Sequence, residues 1–238
     1  MIGGGRAGRS LALALAQAGW RVGPILGRDD DVSGAASGVD LLVIATPDAT
    51  IAEVAAAVEP RSDGAVVAHM AGSLGLDVLA PHERRGALHP LAALPNPEVG
   101  AERLISGTWF AVAGDDLVRR AVDDLGGRPI ELDDADRVAY HAAAVIASNH
   151  LVALLGQAER VGASAGVPLE AYLDLVRATV DNVADLGPAG ALTGPAARGD
   201  WATIDRHLAA LDALDPRERA SYEAMVALAR RLVDDDSP

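Results

Sequence analysis

The sequence contains no cysteine and no lysine; all 20 of its basic residues are arginine. The first absence excludes disulfides, a thiolate nucleophile, Cys-ligated zinc and iron–sulfur clusters. The second excludes a Schiff base, a Walker A lysine and any dehydrogenase mechanism in which lysine moves the proton. Aromatic residues make up 3% of the chain, too few for a base-stacking surface, and 34 acidic residues give a formal net charge of −14. Repulsion on that scale argues against nucleic acid or an anionic membrane as a general partner. The apolar runs read as interrupted by Arg, Asp or Gly short of the roughly 20 residues a bilayer requires, so no membrane helix is expected. A basic region, apolar region and cleavage site do not occur in order at the amino terminus, and the expected location is cytoplasmic. The 6 histidines lack the close pairing of a zinc site, so no metal centre is expected.

What is present is a chain of 238 residues, half of them hydrophobic, enough for one large domain or two modest ones. Residues 1–132 alternate β-type runs with helical stretches and predict an α/β Rossmann domain. Strands are expected at Arg21–Leu26, Leu41–Ala45, Ala65–His69 and Thr108–Val112, and helices at Arg9–Ala18, Ile51–Val58 and Asp116–Leu125. Residues 133–238 read as an all-α domain, with helices at Asp133–Ala165, Pro168–Leu186, Ala202–Leu214 and Pro216–Val233. Gly187–Asp200 reads as a Gly/Pro-rich connection, and Asp234–Pro238 as a disordered acidic end. Asp215, Pro216 and Glu218 stand as N-cap, first-turn proline and third-position carboxylate.

Gly3-Gly4-Gly5-Arg6-Ala7-Gly8 fits G-x-G-x-x-G and opens into an Ala/Leu helix. The pattern needs its first glycine for a tight turn, its second for close approach of a pyrophosphate, and its third for helix–strand packing. At the end of the next β-type run, where an NAD site places an acid on the ribose 2′-hydroxyl, stands Gly27-Arg28. A guanidinium there pairs with a 2′-phosphate, so NADP is expected over NAD, with Asp29 as a ribose ligand if the turn is one residue longer. Only Met1 and Ile2 precede the first glycine, which leaves the first strand short, and apolar β-branched residues added upstream are expected to raise stability. Residues 1–28 hold Arg6, Arg9, Arg21 and Arg28 and no carboxylate, so the acidity belongs to the rest of the chain.

Thr46-Pro47-Asp48, His69-Met70-Ala71-Gly72, Leu88-His89-Pro90, Tyr140-His141-Ala142-Ala143, Ser148-Asn149 and Ala191-Leu192-Thr193-Gly194-Pro195 through Arg198-Gly199-Asp200 follow in order. With the glycine loop, these resemble the Rossmann-like plus DUF2520 family over nearly the whole chain. The resemblance implies an oxidoreductase within the group whose helical domains look like that of 6-phosphogluconate dehydrogenase, a helical domain that dimerises, and a site in the cleft between domains. It places Arg6, Ala7, Thr46, Pro47 and His69 at the cofactor with Gly3, Gly5 and Gly8. Met70-Ala71 departs from relatives, which carry a hydroxyl residue before the glycine. His89 and Asn149 look like the histidine and asparagine of prephenate and 3-hydroxyacyl-CoA dehydrogenases, so His89 is the expected acid/base and Asn149 its orienting partner. At 3.6 residues per turn His141 and Ser148 share a helix face, flanked by Asn149, while His150 points away. Thr193 and Arg198 are candidates for a substrate carboxylate, or for a loop tie. His82 and His207 read as packing or surface residues.

The expected activity is NADP(H)-dependent reduction of the carbonyl or imine of a small carboxylated metabolite. Imine reduction like that of pyrroline-5-carboxylate reductase would instead use Ser148 as donor. A non-catalytic NADP(H)-binding redox sensor is the rival reading.

Overall fold

The computed structural model describes residues 1–60 and 64–235, so the last three residues of the acidic end lie outside it. The chain divides into two compact units, residues 1–148 and 149–238. The change from sheet to helix falls at Asp134, and the helical residues as far as Ser148 group with the sheet.

The first unit is built on β1 (Leu41–Ile44), β2 (Val66–His69), β3 (Arg85–Pro90), β4 (Trp109–Gly114) and β5 (Arg128–Glu131), adjacent in that order. β1, β2 and β3 run parallel, β4 is antiparallel to β3, and β5 is parallel to β4. All of β2 is buried, as a central strand covered on both faces requires. One apolar layer joins Leu11, Ala14 and Leu15 of α1 (Arg6–Gln17) to Val43, Ala68, Leu88 and Phe110. The other joins Ile2, Leu42 and Ile44 to Ile51 and Ala55 of α2 (Ile51–Ala57).

Arg21–Leu26 is not a strand. Gly23-Pro24 interrupts it, Pro24 has no N–H to give a ladder, and only Leu26 pairs, bridging Ile2. Leu26 N–H donates to Met1 O at 2.9 Å and Gly3 N–H to Leu26 O at 2.8 Å. On the other side Ile2 N–H reaches Val43 O at 2.8 Å and Ala45 N–H reaches Ile2 O at 2.7 Å. Ile2, 2% exposed, thus sits where the strand order reverses, with its chain neighbour on one side and β1 on the other. The carboxyl ends of these parallel segments open on one edge, where ligands of such sheets bind.

β3 and β5 do not read as strands in the sequence. β3 lacks β-branched residues and contains Gly86, whose Cβ would lie 2.5 Å from Val118 Cγ1 of α4 (Asp116–Asp124). Close packing of a helix, rather than β propensity, chose that residue. β5 holds Pro129 and stands at the sheet edge. α3 (Pro97–Leu104) is capped by Asn96, whose Oδ1 accepts from Val99 N–H at 2.9 Å, and packs on α1.

The stretch expected as one helix runs from a 3₁₀ turn at Asp134–Asp136 through α5 (Arg137–Val145), a π-helical turn at Ile146–His150 and α6 (Leu151–Ser164). By length and composition Asp134–Ser164 can cross a membrane, with a window of mean hydropathy 1.5, which corrects the expectation that no segment reaches that length. Of the Arg, Asp and Gly residues expected to interrupt it, only Gly156 lies between Arg137 and Arg160, and it does not stop the helix.

In the second unit α7 (Leu169–Ala191) breaks at Gly187 (φ 73°, ψ 167°) beside Pro188, next to its expected end. The expected connection contains α8 (Gly194–Arg198). Asp200 caps α9 (Trp201–Leu214), accepting from Thr203 N–H at 3.1 Å. Asp215 accepts from Arg217 N–H at 3.0 Å ahead of α10 (Arg219–Asp235), as its N-cap reading requires. Glu218 does not complete a capping box; its carboxylate pairs with Arg160 Nε and Nη2 at 2.6 and 3.1 Å.

Candidate cofactor loop and histidine cluster

The glycine turn sorts its glycines by geometry. A Cβ on Gly3 (φ 108°) would lie 2.5 Å from Ala45 O, and one on Gly8 2.1 Å from Gly3 O, so turn and packing both demand glycine there. A Cβ on Gly5 would meet nothing within 4 Å. Gly5 is the N-cap of α1, without a side-chain cap, and the first turn carries no acid. The helix therefore presents its unpaired N–H groups and the positive end of its dipole at an open edge, beside Arg6 and Arg9. Thr46 Oγ1, next to Ala45, is buried with no hydrogen-bond partner among the described residues. Pro47 precedes the 3₁₀ turn Asp48–Thr50 and accepts from Thr50 Oγ1 at 2.8 Å. Past Leu26, Gly27 N–H donates to Asp30 Oδ2 at 2.6 Å, so Asp30 closes the turn and Arg28 stands exposed on it. These residues fit a dinucleotide: donors for a pyrophosphate, a hydroxyl unpaired among the described residues, and an exposed guanidinium at the second segment's end.

The histidines collect on the same sheet edge. β2 ends at His69, β3 at His89-Pro90, and the register pairs His69 with Ala87. His89 Nδ1 shares a 2.8 Å hydrogen bond with Tyr140 Oη, and its ring stands edge-on to Tyr140 and to His141, at 5.5 and 5.9 Å between centroids. Gly72 makes room for this: a Cβ there would lie 2.6 Å from His141 Cδ2 and 3.0 Å from His89 Nε2. His69 is fully buried; its Nδ1 accepts from Ala71 N–H at 3.1 Å, which puts the proton of the neutral ring on Nε2, 3.3 Å from Gly75 O. Burial, with His141, Arg137 and His69 adding repulsion, pushes His89 down to about 4. Burial and then the Arg137 charge lower His69, while burial raises Tyr140 against Arg137. Both imidazoles are neutral at pH 7. Asp134 Oδ2 accepts from Leu76 N–H at 2.9 Å and its Oδ1 from Arg137 Nε at 3.0 Å.

His89, His141 and His69 thus fall together, and the partner on His89 Nδ1 is Tyr140. Ser148 Oγ donates to Ala144 O at 2.7 Å, within its own helix. The π turn widens the helix just there, so the seven-residue register assumed for His141 and Ser148 does not hold; such turns recur at functional sites. Asn149 opens the second unit, where Thr193 is the N-cap of α8 and Arg198 lies exposed in its last turn. His82 is buried with Nε2 2.9 Å from Ala55 O, a packing role, and exposed His207 shares a 2.6 Å hydrogen bond with Tyr222 on the surface. Sequence reasoning named Tyr140 only within a motif and gave it no role, and it passed over Asp134 and Arg137. The signal for Arg137 was its isolation: it is the one basic residue between Arg128 and Arg160.

A glycine turn into an uncapped helix, set where parallel strand order reverses, defines a Rossmann-type fold of the dinucleotide-binding class. The chain belongs to the DUF2520 family: the domain of unknown function DUF2520 matches residues 109–229, and a Rossmann-like domain matches residues 24–95. No curated protein matches it. Among solved structures it is similar to BF3122 from Bacteroides fragilis, provisionally named an NADP oxidoreductase (23% identity, 97% of this chain and 96% of that one, TM-score 0.83). It is also similar to protein TM1727 from Thermotoga maritima (22%, 99% and 98%, 0.73) and to the imine reductase from Myxococcus stipitatus in complex with NADP+ (17%, 99% and 93%, 0.66). At these identities the likeness is one of fold.

Proposed function

We propose that the protein is an NADP(H)-dependent oxidoreductase that reduces the carbonyl or imine carbon of a small carboxylated metabolite. The observation that carries this reading is one sheet edge holding both the open glycine turn and a neutral, half-buried histidine hydrogen-bonded to a tyrosine. Similarity of fold to an NADP+-bound imine reductase and to the reductive aminase from Aspergillus terreus in complex with NADPH agrees with it. The N–H groups of Arg6, Ala7 and Gly8 would hold the pyrophosphate past Gly3 and Gly5, Arg28 the 2′-phosphate, and Thr46 Oγ1 with Pro47 the ribose and nicotinamide side. The bound nicotinamide supplies or takes the hydride.

The chain's own residues govern the proton. In the tautomer that accepts from Tyr140 Oη at Nδ1, the ring hydrogen sits on His89 Nε2, beside Gly72, where it can face the substrate's oxygen or nitrogen. With its pKa near 4, His89 stabilises developing negative charge as a neutral donor and is a poor full acid at pH 7. That favours an iminium, which already carries its proton, over a ketone. Ser148, whose proton is committed to Ala144, is the weaker donor.

The test is NADPH oxidation against a panel of ketones, oxo acids and preformed imines. His89→Ala and Tyr140→Phe should each lower turnover at least tenfold with NADPH affinity unchanged; unaltered turnover refutes the site. Tight NADPH binding with no oxidation anywhere in the panel gives the redox-sensor reading instead.

The same reading includes a homodimer through the helical residues. α7 buries no residue, and Val152, Leu175 and Leu186 are 70%, 64% and 63% exposed. A second copy is the cover that an exposed apolar helical surface of this kind calls for. Light scattering should give twice 24.3 kDa, falling to the monomer in Val152→Glu. A monomeric wild type, or recovery only with detergent, refutes it.

A further inference from the structure

Arg137 opens α5, and its side chain is 0% exposed. A guanidinium has five N–H donors, and here Nε alone is engaged, on Asp134. Nη1 and Nη2 are buried with no hydrogen-bond partner among the described residues. Asp134 pairs with the fork at Nε alone: it is 46% exposed and its second oxygen already accepts from Leu76 N–H, so it does not reach the two Nη groups. Buried charges in folded proteins are paired, because desolvation without a partner is among the costliest arrangements a fold can hold. Asp134 instead fixes the plane of the fork through Nε and leaves both Nη groups buried without the anion such a fork takes, so that neighbouring side chains must part to admit one.

The surroundings say which anion. Arg137, Tyr140 and His141 stand three and four residues apart and so share one face of α5, the face that meets His89. The positive charge of Arg137 is felt at His69, His89 and Tyr140, consistent with a place among them. The pyrophosphate and 2′-phosphate already have donors at the α1 terminus and Arg28. We infer that Arg137 is the carboxylate receptor of the substrate site, taking the substrate's carboxylate on Nη1 and Nη2 as a bidentate pair beside His89. The substrate is then an oxo acid or imino acid. Arg198, exposed in the second unit, lacks this pre-organisation. The reaction named for the substrate rests on the oxidoreductase reading; the carboxylate recognition does not.

The experiment is calorimetric titration of the full chain with oxo acids of four to eight carbons and with their methyl esters, with and without saturating NADP+. At least one acid should bind tenfold or more tightly than its ester, with NADP+ present. In Arg137→Met the preference should fall below threefold while the ester still binds. Should Arg137→Met fail to fold, Arg137→Lys decides, since a point charge cannot make the planar pair: acid affinity should drop at least threefold with ester affinity unchanged. Equal binding of acids and esters overturns the proposal, as do absence of binding by any acid, a preference that survives Arg137→Met or Arg137→Lys, and a preference abolished by NADP+. Acid preference without any NADPH oxidation would sink the oxidoreductase reading and leave Arg137 as receptor. Oxidation that treats acids and esters alike would do the reverse.

Discussion

His89 makes the stability of the protein depend on pH in a calculable way. Its ordinary pKa is 6.5, and burial lowers it to about 4 in the fold. Between those values the unfolded chain binds a proton that the folded chain refuses, so stability is whole above pH 6.5 and is lost as pH falls toward 4. With one pKa unit worth about 1.4 kcal/mol, moving from pH 8 to pH 5 removes ~2 kcal/mol through this residue alone, with ~3 kcal/mol as the limit below pH 4. His69 is lowered too and acts in the same direction, so the residue is isolated by difference. His89→Gln keeps a hydrogen-bonding group for Tyr140 and removes the titration. In urea unfolding of wild type and variant at pH 8, 6.5 and 5, the stability gap should shift by ~2 kcal/mol against wild type at the acid end. A gap constant to within about 0.5 kcal/mol would mean His89 titrates normally and is not the half-buried neutral group described above.

The glycines give four sharper contrasts. Gly5→Ala should change stability by less than about 1 kcal/mol, because its Cβ enters open space, yet weaken NADPH at least tenfold by occupying the pyrophosphate's approach. Gly8→Ala should fail in thermal unfolding itself, losing about 2 kcal/mol or more through the clash with Gly3 O. Gly72→Ala should push His141 from His89, raise the pKa of His89 measured by NMR, and cut turnover with NADPH affinity kept. Gly86→Ala, far from the chemistry, should cost about 1–3 kcal/mol against Val118 and leave cofactor affinity unchanged.

Much of the sheet was legible because β1 and β2 are short apolar runs bounded by turn residues, and α1, α2 and α4 repeat apolar residues at helical spacing. β3 was not, because Gly86 and Pro90 answer to packing and to the strand's end rather than to β propensity. Arg21–Leu26 misled in the other direction, since periodicity did not weigh the missing N–H of Pro24. His89, His141 and His69 could be named from their motifs. Their joining hydrogen bonds could not, because Tyr140 lies 51 residues from His89 in the chain and only the fold brings α5 against β3. Arg137 was hidden for a related reason: a charged residue at a helix start reads as a solvated face, and only burial shows that it is not.

Parallel titration of wild type with NADPH and NADH, followed by nicotinamide fluorescence, tests the central claim most directly. NADPH should bind at least tenfold more tightly than NADH, and Arg28→Ala should erase that difference while Gly5→Ala weakens both. Failure of NADPH to bind, or binding of NADH as tight or tighter and indifferent to Arg28, would contradict the account.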